Sequence, residues 1–188
     1  IPILNPIDVQ DLLDMGMYGW AMSRFAGLWV GMKCITDNID TSASVDVSTD
    51  RVNIVLPEFE MPPGGLHIRW PDPALDQEER LHRHKIYAAL AFARANGLDR
   101  ITLDSTKPRF GIVSTGKAYL DTLQALEDLG IGDKEAEAIG LRLYRVGMPW
   151  PLEREGIRHF AEGLEEILVV EEKRAVIENQ LKEQLYNW

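Results

Sequence analysis

The sequence predicts an α/β fold: a three-layer αβα domain with a mostly parallel sheet, preceded by an N-terminal helical extension. From residue 100 onward, short apolar strands alternate with amphipathic helices. This alternation implies crossover connections and therefore parallel neighbours, with helices on both sides of the sheet. The last apolar run, Ile167 to Val170, is uninterrupted, which is typical of a strand buried on both faces.

The N-terminal segment has a helix start at Asn5-Pro6, with asparagine as N-cap and proline at the first helical position. The helix is expected to reach about Ile35, although glycines interrupt it at a cost of about 1 kcal/mol each relative to alanine. Apolar side chains such as Trp20 cover nearly all its sides, which is typical of a buried helix. We expect it to dock against another part of a longer protein, and a chain that opens on Ile1 fits this expectation.

The middle of the chain is predicted to be a linker with one strand. Thr36 to Asp50 is polar, Arg51 to Leu56 is predicted to form the strand, and Pro57 to Pro73 is a loop rich in proline and glycine. A helix is expected to begin at Asp76, because Glu79 follows three residues later as in a capping box. It is expected to end at Asn96-Gly97, a common helix stop.

The C-terminal half supplies the strands and helices of the predicted sheet domain. The strands are Ile101–Leu103, Phe110–Val113, Leu141–Val146 and Ile167–Val170. The helices run from Gly116 to Gly130, from Pro151 to about Glu162, and through the apolar positions Val176, Ile177, Leu181 and Leu185.

The composition limits the class of partner. The 188 residues carry a net charge of −10 at a pI of about 4.9, which argues against nucleic acid and against an anionic membrane. No uninterrupted apolar run reaches the ~18 residues that span a bilayer. The single cysteine, Cys34, excludes an internal disulfide and any site built on several thiolates. It fits the cytoplasmic location that we expect.

The segment Gly111 to Lys117 matches the spacing of a nucleotide-binding P-loop, except that Ala118 stands where a magnesium-binding hydroxyl is required. Ile112 and Val113 have the character of strand interior, so only Ser114, Thr115 and Gly116 remain for a turn, too few to enclose a phosphate chain. We interpret the segment as a strand-to-helix turn. The N–H groups and the dipole at the start of the following helix favour an anion, so Ser114, Thr115, Gly116 and Lys117 are weak candidates for an anion site.

The other polar groups suggest no catalytic centre. Ser114 lacks the Gly-x-Ser-x-Gly elbow of a hydrolase nucleophile, and His82 and His84 are spaced so that they diverge on a helix. Glu171 and Glu172 could act as acid and base, but adjacent acids next to basic residues more often form surface ion pairs. We assign no catalytic residue and no metal ligand.

Five segments in order resemble the large fused indolepyruvate ferredoxin oxidoreductases, which belong to the thiamine-dependent 2-oxoacid:ferredoxin oxidoreductases. The segments are Tyr18–Lys33, Ser42–Asp46, Ala91–Asn96, Gly111–Lys117 and Val169–Arg174. The resemblance covers the chain from about Pro2 to Asn187. It implies three parts: residues 1–36 as the helical tail of a preceding pyrimidine-type thiamine domain, 37–73 as the linker, and 74–188 as a transketolase C-terminal-like domain.

The resemblance also implies the chemistry of a parent enzyme, which would oxidatively decarboxylate aryl or branched 2-oxoacids to acyl-CoA. Thiamine diphosphate, magnesium, 4Fe–4S clusters and coenzyme A would serve that enzyme, and ferredoxin would accept the electrons. This chain lacks the family's Gly-Asp-Gly motif and its cysteine series. We therefore expect no cofactor and no activity in this chain alone, a structural role among other domains of the same polypeptide, and a homodimeric parent. A stand-alone small-ligand or nucleotide-binding module that uses the Ser114–Lys117 turn is the alternative.

Overall fold

The computed structural model describes residues 1–187, and its main sheet has the strand order β3-β5-β4-β6. β3 runs antiparallel to β5, whereas β4 pairs in parallel with both β5 and β6. The bounds of these strands are Arg100–Leu103 for β3, Phe110–Thr115 for β4, Leu141–Val146 for β5 and Glu166–Val170 for β6. The mostly parallel sheet that the alternating pattern predicts is confirmed.

Helices cover both faces of this sheet. Alternate residues of β5 point to opposite sides, so that Leu143 packs with Tyr119 and Leu126 on one face, while Tyr144 packs with Phe160 on the other. The two faces are covered by α5 (Gly116–Asp128) and α6 (Asp133–Ile139), and by α7 (Arg154–Ala161) and α8 (Ile177–Gln184). The three-layer αβα prediction is confirmed. The short helix α6 has no counterpart in the sequence prediction.

The N-terminal part forms a second apolar core against a helix from the middle of the chain. Met15, Met22 and Ala26 of α1 (Val9–Ala26) pack against Ala88 and Phe92. Those two residues lie in α4 (Ile86–Ala95), which continues from α3 (Ala74–Arg80) through a π-helical turn at Leu81–Lys85. The remaining short elements are β1 (Ile3–Leu4), which pairs in parallel with β2 (Gly31–Met32), and α2 (Thr36–Ile39).

The first helix is shorter than its composition predicts. It begins after Asp8, whose carboxylate accepts the Asp11 N–H at 2.8 Å, so Asn5 is not its N-cap. It ends at Gly27, where φ is +65° and the chain turns to pair with β1 through Gly31 and Met32 instead of continuing as a helix to Ile35. Asn5 and Pro6 thus belong to an extended entry segment, and the expected helical stretch contains both a helix and strand β2.

Two predictions for the middle of the chain are wrong: the strand Arg51–Leu56 is absent, and the helix does not start at Asp76. Residues 51–56 form no strand, because the side chain of Asn96 takes the place of a neighbouring strand. Its amide accepts the Val55 N–H and donates to the Val55 carbonyl, both at 2.8 Å. The helix begins two residues early, at Ala74 directly after Pro73. The domain bounds 1–36, 37–73 and 74–188 stay predictions.

Within residues 1–187, none of the helices combines the length and the apolar character needed to cross a bilayer.

Candidate functional site

The crevice between the ends of β4 and β5 is the place where the topology favours a ligand. Thr115 and Val146 are register partners at the carboxyl ends of these parallel strands. From there the chain continues into α5 on one face of the sheet and into α7 on the other. Ligands of open α/β sheets bind where successive connections diverge in this way.

Asn5 fills this crevice. Its amide group donates a hydrogen bond to the Thr115 hydroxyl at 3.1 Å, and its backbone N–H donates to the Gly147 carbonyl at 2.9 Å. The Thr115 hydroxyl in turn donates to the Val146 carbonyl at 2.7 Å. Asn5 is 5% exposed, so one side chain of the entry segment joins both strand ends and excludes solvent from between them.

Gly116 makes this arrangement possible. Its φ of +53° lies in the left-handed region, which residues with a Cβ rarely adopt. A Cβ built on Gly116 would lie 2.6 Å from the Asn5 amide nitrogen, closer than non-bonded atoms approach. The glycine of the P-loop-like segment therefore accommodates a side chain of the same protein at the position where a P-loop accommodates phosphate.

The four residues predicted for an anion site lie at the end of β4 and the start of α5 and do not form an exposed turn. Ser114 and Thr115 are the last residues of β4, so their assignment to a turn is wrong, whereas the expected passage from strand to helix occurs between Thr115 and Gly116. Ser114 is fully buried and its hydroxyl donates to the Val170 carbonyl of β6 at 3.1 Å. The Lys117 ammonium group donates to the Asp121 carboxylate at 2.7 Å, one turn along α5. Anion binding by the four residues stays a prediction, and three of them already have partners within the fold.

A buried ion pair fastens α1 beside the crevice. Arg145 of β5 is 4% exposed and donates to the Asp11 carboxylate, which also accepts the Ile7 N–H at 2.9 Å. The Arg145 guanidinium lies 5.8 Å from the centre of the Tyr119 ring, a cation–π contact with α5. Sequence reasoning missed this pair, because the two charges are 134 residues apart and nothing local couples them.

A second buried carboxyl group lies below the crevice, at Asp99 in the loop between α4 and β3. One of its oxygens accepts the N–H groups of Gly147 and Met148 at 2.8 Å each. The other oxygen has no hydrogen-bond partner, and neither has the nearby buried hydroxyl of Tyr144. Burial raises the pKa of Asp99 to about 7. The hydrogen bonds from the Gly147 and Met148 N–H groups lower this pKa, but their effect is smaller than that of burial.

Glu153 stands on the far side of Asp99 and adds to that pKa shift through like charge. Its carboxylate is 1% exposed, caps α7 by accepting the Glu155 and Gly156 N–H groups, and pairs with Arg94 of α4 at 3.0 Å. Burial, with Asp99 and Glu153 adding like charge, also raises the pKa of Tyr144. The described part of the chain, residues 1–187, contains no group of three or more His, Cys, Asp or Glu side chains that could hold a metal ion.

Comparisons with known proteins identify what this chain is similar to. Residues 99–188 match the family model described as "Indolepyruvate ferredoxin oxidoreductase middle domain". The indolepyruvate oxidoreductase subunit IorA of Methanothermobacter thermautotrophicus is 24% identical over 96% of this chain, and that of Pyrococcus abyssi is 26% identical over 97%. The structure is similar, with a TM-score of 0.56 and 13% identity, to 2-oxoglutarate:ferredoxin oxidoreductase from Magnetococcus marinus with 2-oxoglutarate, coenzyme A and succinyl-CoA bound. That match covers 99% of this chain and 37% of the other.

The αβα sheet with its filled strand-end crevice is thus a domain with the fold found in a 2-oxoacid:ferredoxin oxidoreductase. Residues 99–188 thus match the middle domain of the indolepyruvate ferredoxin oxidoreductases, and nearly the whole chain is similar to IorA subunits, in agreement with the resemblance of its five segments. It spans 28% and 27% of the length of the two IorA relatives.

Proposed function

We propose that this chain is a structural and assembly domain, without catalytic residues of its own, of an indolepyruvate (2-oxoacid):ferredoxin oxidoreductase. The observation that supports this most directly is Asn5, which occupies the crevice where an enzyme of this architecture would hold its ligand. The polar side chains around the crevice bond to one another and to backbone carbonyls, so they hold the fold together.

The parent enzyme in this proposal decarboxylates aryl or branched 2-oxoacids to acyl-CoA. Thiamine diphosphate with magnesium and 4Fe–4S clusters are bound outside this chain, coenzyme A is the acyl acceptor, and ferredoxin takes the electrons. Other domains of the same polypeptide are the partners, the parent is a homodimer and its location is cytoplasmic. The IorA relatives, which are named oxidoreductase subunits and are more than three times as long, support a role within a larger enzyme.

Calorimetry with thiamine diphosphate and magnesium tests the proposal. We expect no binding heat at ligand concentrations of about 1 mM, and no 2-oxoacid-dependent reduction of ferredoxin by the purified chain. A dissociation constant in the micromolar range would refute the assembly role.

A thermal-shift screen with ATP, NAD and coenzyme A tests the alternative ligand-binding module. Under our proposal the melting temperature does not change, because a ligand stabilises only a protein that binds it. A rise that Lys117→Ala abolishes and the exposed-site control Lys134→Ala retains would establish the alternative in its place.

A further inference from the structure

A continuous apolar surface lies on the side of α1 opposite its buried face. It consists of two grooves of about 990 and 940 Å³ that share Arg24 and His67. The first groove lies between α1 and the loop from Ile54 to His67, and the second between the end of α1 and the start of α3. The apolar side chains along the two grooves include Leu13, Met17, Trp20, Leu56, Met61, Trp29 and Ile68.

The exposed stripe of α1 has the form of a helix-packing face. Leu13, Gly16, Met17 and Trp20 follow one another at helical spacing, and Trp20 is 72% exposed. A Cβ built on Gly16 would meet nothing within 4 Å, so the space above it is open. Because glycine weakens a helix and this one makes no close contact within the chain, its use here is to let another backbone approach α1 closely.

The guanidinium group of Arg24, which lines both grooves, indicates the chemistry of what covers them. Neither Arg24 nor His67 forms an ion pair with any residue of the described range 1–187. A second copy packed symmetrically about this junction would bring the Arg24 guanidinium against its own counterpart, which is unfavourable. A partner that places carboxylates at this position is attracted by the positive charge of Arg24.

We propose that this surface, defined by the two grooves, binds an amphipathic α-helix that carries carboxylates and is supplied by another part of the enzyme. The inference rests on the proposed assembly role and names the contact that this role uses. About 70% of the length of the IorA relatives lies outside the part that this chain covers, which leaves ample chain in such proteins for a covering helix. The helix lays its apolar side along Leu13, Met17 and Trp20 and directs a carboxylate to Arg24 and His67.

The probe for this surface is a synthetic helix of about 18 residues, long enough to be helical, with leucine on one face and glutamate on the other. Its binding is measured by the change in tryptophan emission, since Trp20 and Trp29 line the grooves. We expect the glutamate peptide to bind at least about tenfold more tightly than the same peptide with lysine in place of glutamate. Arg24→Glu is expected to reverse this preference, whereas Arg83→Glu, outside both grooves, retains it.

Gly16→Leu separates docking from folding. The leucine fills the open space above α1 and raises the melting temperature of the chain, because leucine forms helices better than glycine, yet it is expected to weaken peptide binding at least about fivefold. Gln124→Leu, which places a leucine at an exposed position of α5, is the matched control and is expected to leave binding unchanged. Equal binding of both peptides, no binding of either at about 1 mM, or full binding by Gly16→Leu overturns the inference.

Sedimentation equilibrium of the chain alone addresses the competing occupant. A monomer is expected, and a dimer that Gly16→Leu dissociates would assign the surface to a second copy and overturn our proposal. These outcomes are independent of the cofactor titration: failure of the peptide experiment removes the docking surface, whereas thiamine diphosphate binding removes the assembly role itself.

Discussion

Asp99→Asn is expected to remove the loss of stability that ionisation of the Asp99 carboxyl causes between about pH 3 and pH 8. The Asp99 carboxyl has a pKa of about 7 in the folded protein and an ordinary value of 3.8. Below about pH 3, the carboxyl is mostly protonated in both the folded and the unfolded chain. As the pH rises toward 7, the unfolded chain releases this proton while the folded chain keeps it, so the free energy of unfolding falls.

The expected size of this loss follows from the pKa difference. Each unit corresponds to about 1.4 kcal/mol, so the decline approaches about 4 kcal/mol and levels off above pH 7, where both states are ionised. Asparagine retains an oxygen that accepts the N–H groups of Gly147 and Met148 but carries no charge. Asp99→Asn should therefore match the parent chain near pH 3 and exceed its stability by a few kcal/mol at pH 8.

Urea unfolding at a series of pH values measures this difference, with Asp50→Asn as the control. Asp50 is exposed and makes no side-chain contact of this kind, so its substitution should leave the pH profile of the parent chain intact. Parallel profiles for the parent chain and Asp99→Asn would show that the carboxyl group ionises normally and would contradict the expectation.

Gly116→Ala is expected to lower the free energy of unfolding by about 3 kcal/mol. The left-handed backbone at Gly116 costs an alanine about 1–2 kcal/mol. The added Cβ also displaces the Asn5 side chain, whose hydrogen bond to Thr115 is worth about 1 kcal/mol. For a domain of this size the loss corresponds to a fall in melting temperature of roughly 6–12 °C.

Gly130→Ala is the matched control, because Gly130 has a φ of +69° but open space where its Cβ would lie. It should lose only the backbone contribution of about 1–2 kcal/mol. Adding Asn5→Gly to Gly116→Ala should cost less than the two single changes together by about 1 kcal/mol, since the clash is then absent. Equal losses for Gly116→Ala and Gly130→Ala would show that Asn5 does not occupy the crevice.

The local patterns of the C-terminal half predicted its elements well, since short segments rich in apolar residues alternate there with amphipathic helices. Leu141–Val146 appears with the predicted bounds, and the alternation of strands and helices predicts the parallel pairing of β4 with β5 and β6. The prediction for Arg51–Leu56 failed because a strand needs a neighbour as well as a composition, and the Asn96 side chain bonds there instead.

The crevice could not be predicted to the same degree. The segment Gly111–Lys117 marks a strand followed by a helix, and that much is confirmed. The role of Asn5 was misassigned, because Asn-Pro is locally a good helix start and its actual partner Thr115 is 110 residues away. Asp99 has no local signal at all, since its raised pKa arises from burial in the folded chain and from the like charge of Glu153, 54 residues away.

The sequence by itself determined the fold class, the alternation of strands and helices, and the similarity to indolepyruvate ferredoxin oxidoreductases, because all three are recorded in short-range patterns of apolar residues, glycines and ordered motifs. Only the tertiary structure decided that the strand-end crevice is filled by Asn5 and that Arg145 is paired with Asp11. It also decided that one face of α1 is exposed and lines the two grooves. These features depend on contacts between residues far apart in the sequence. Burial strengthens the polar contacts among them, and neither the contacts nor the burial can be inferred from neighbouring residues.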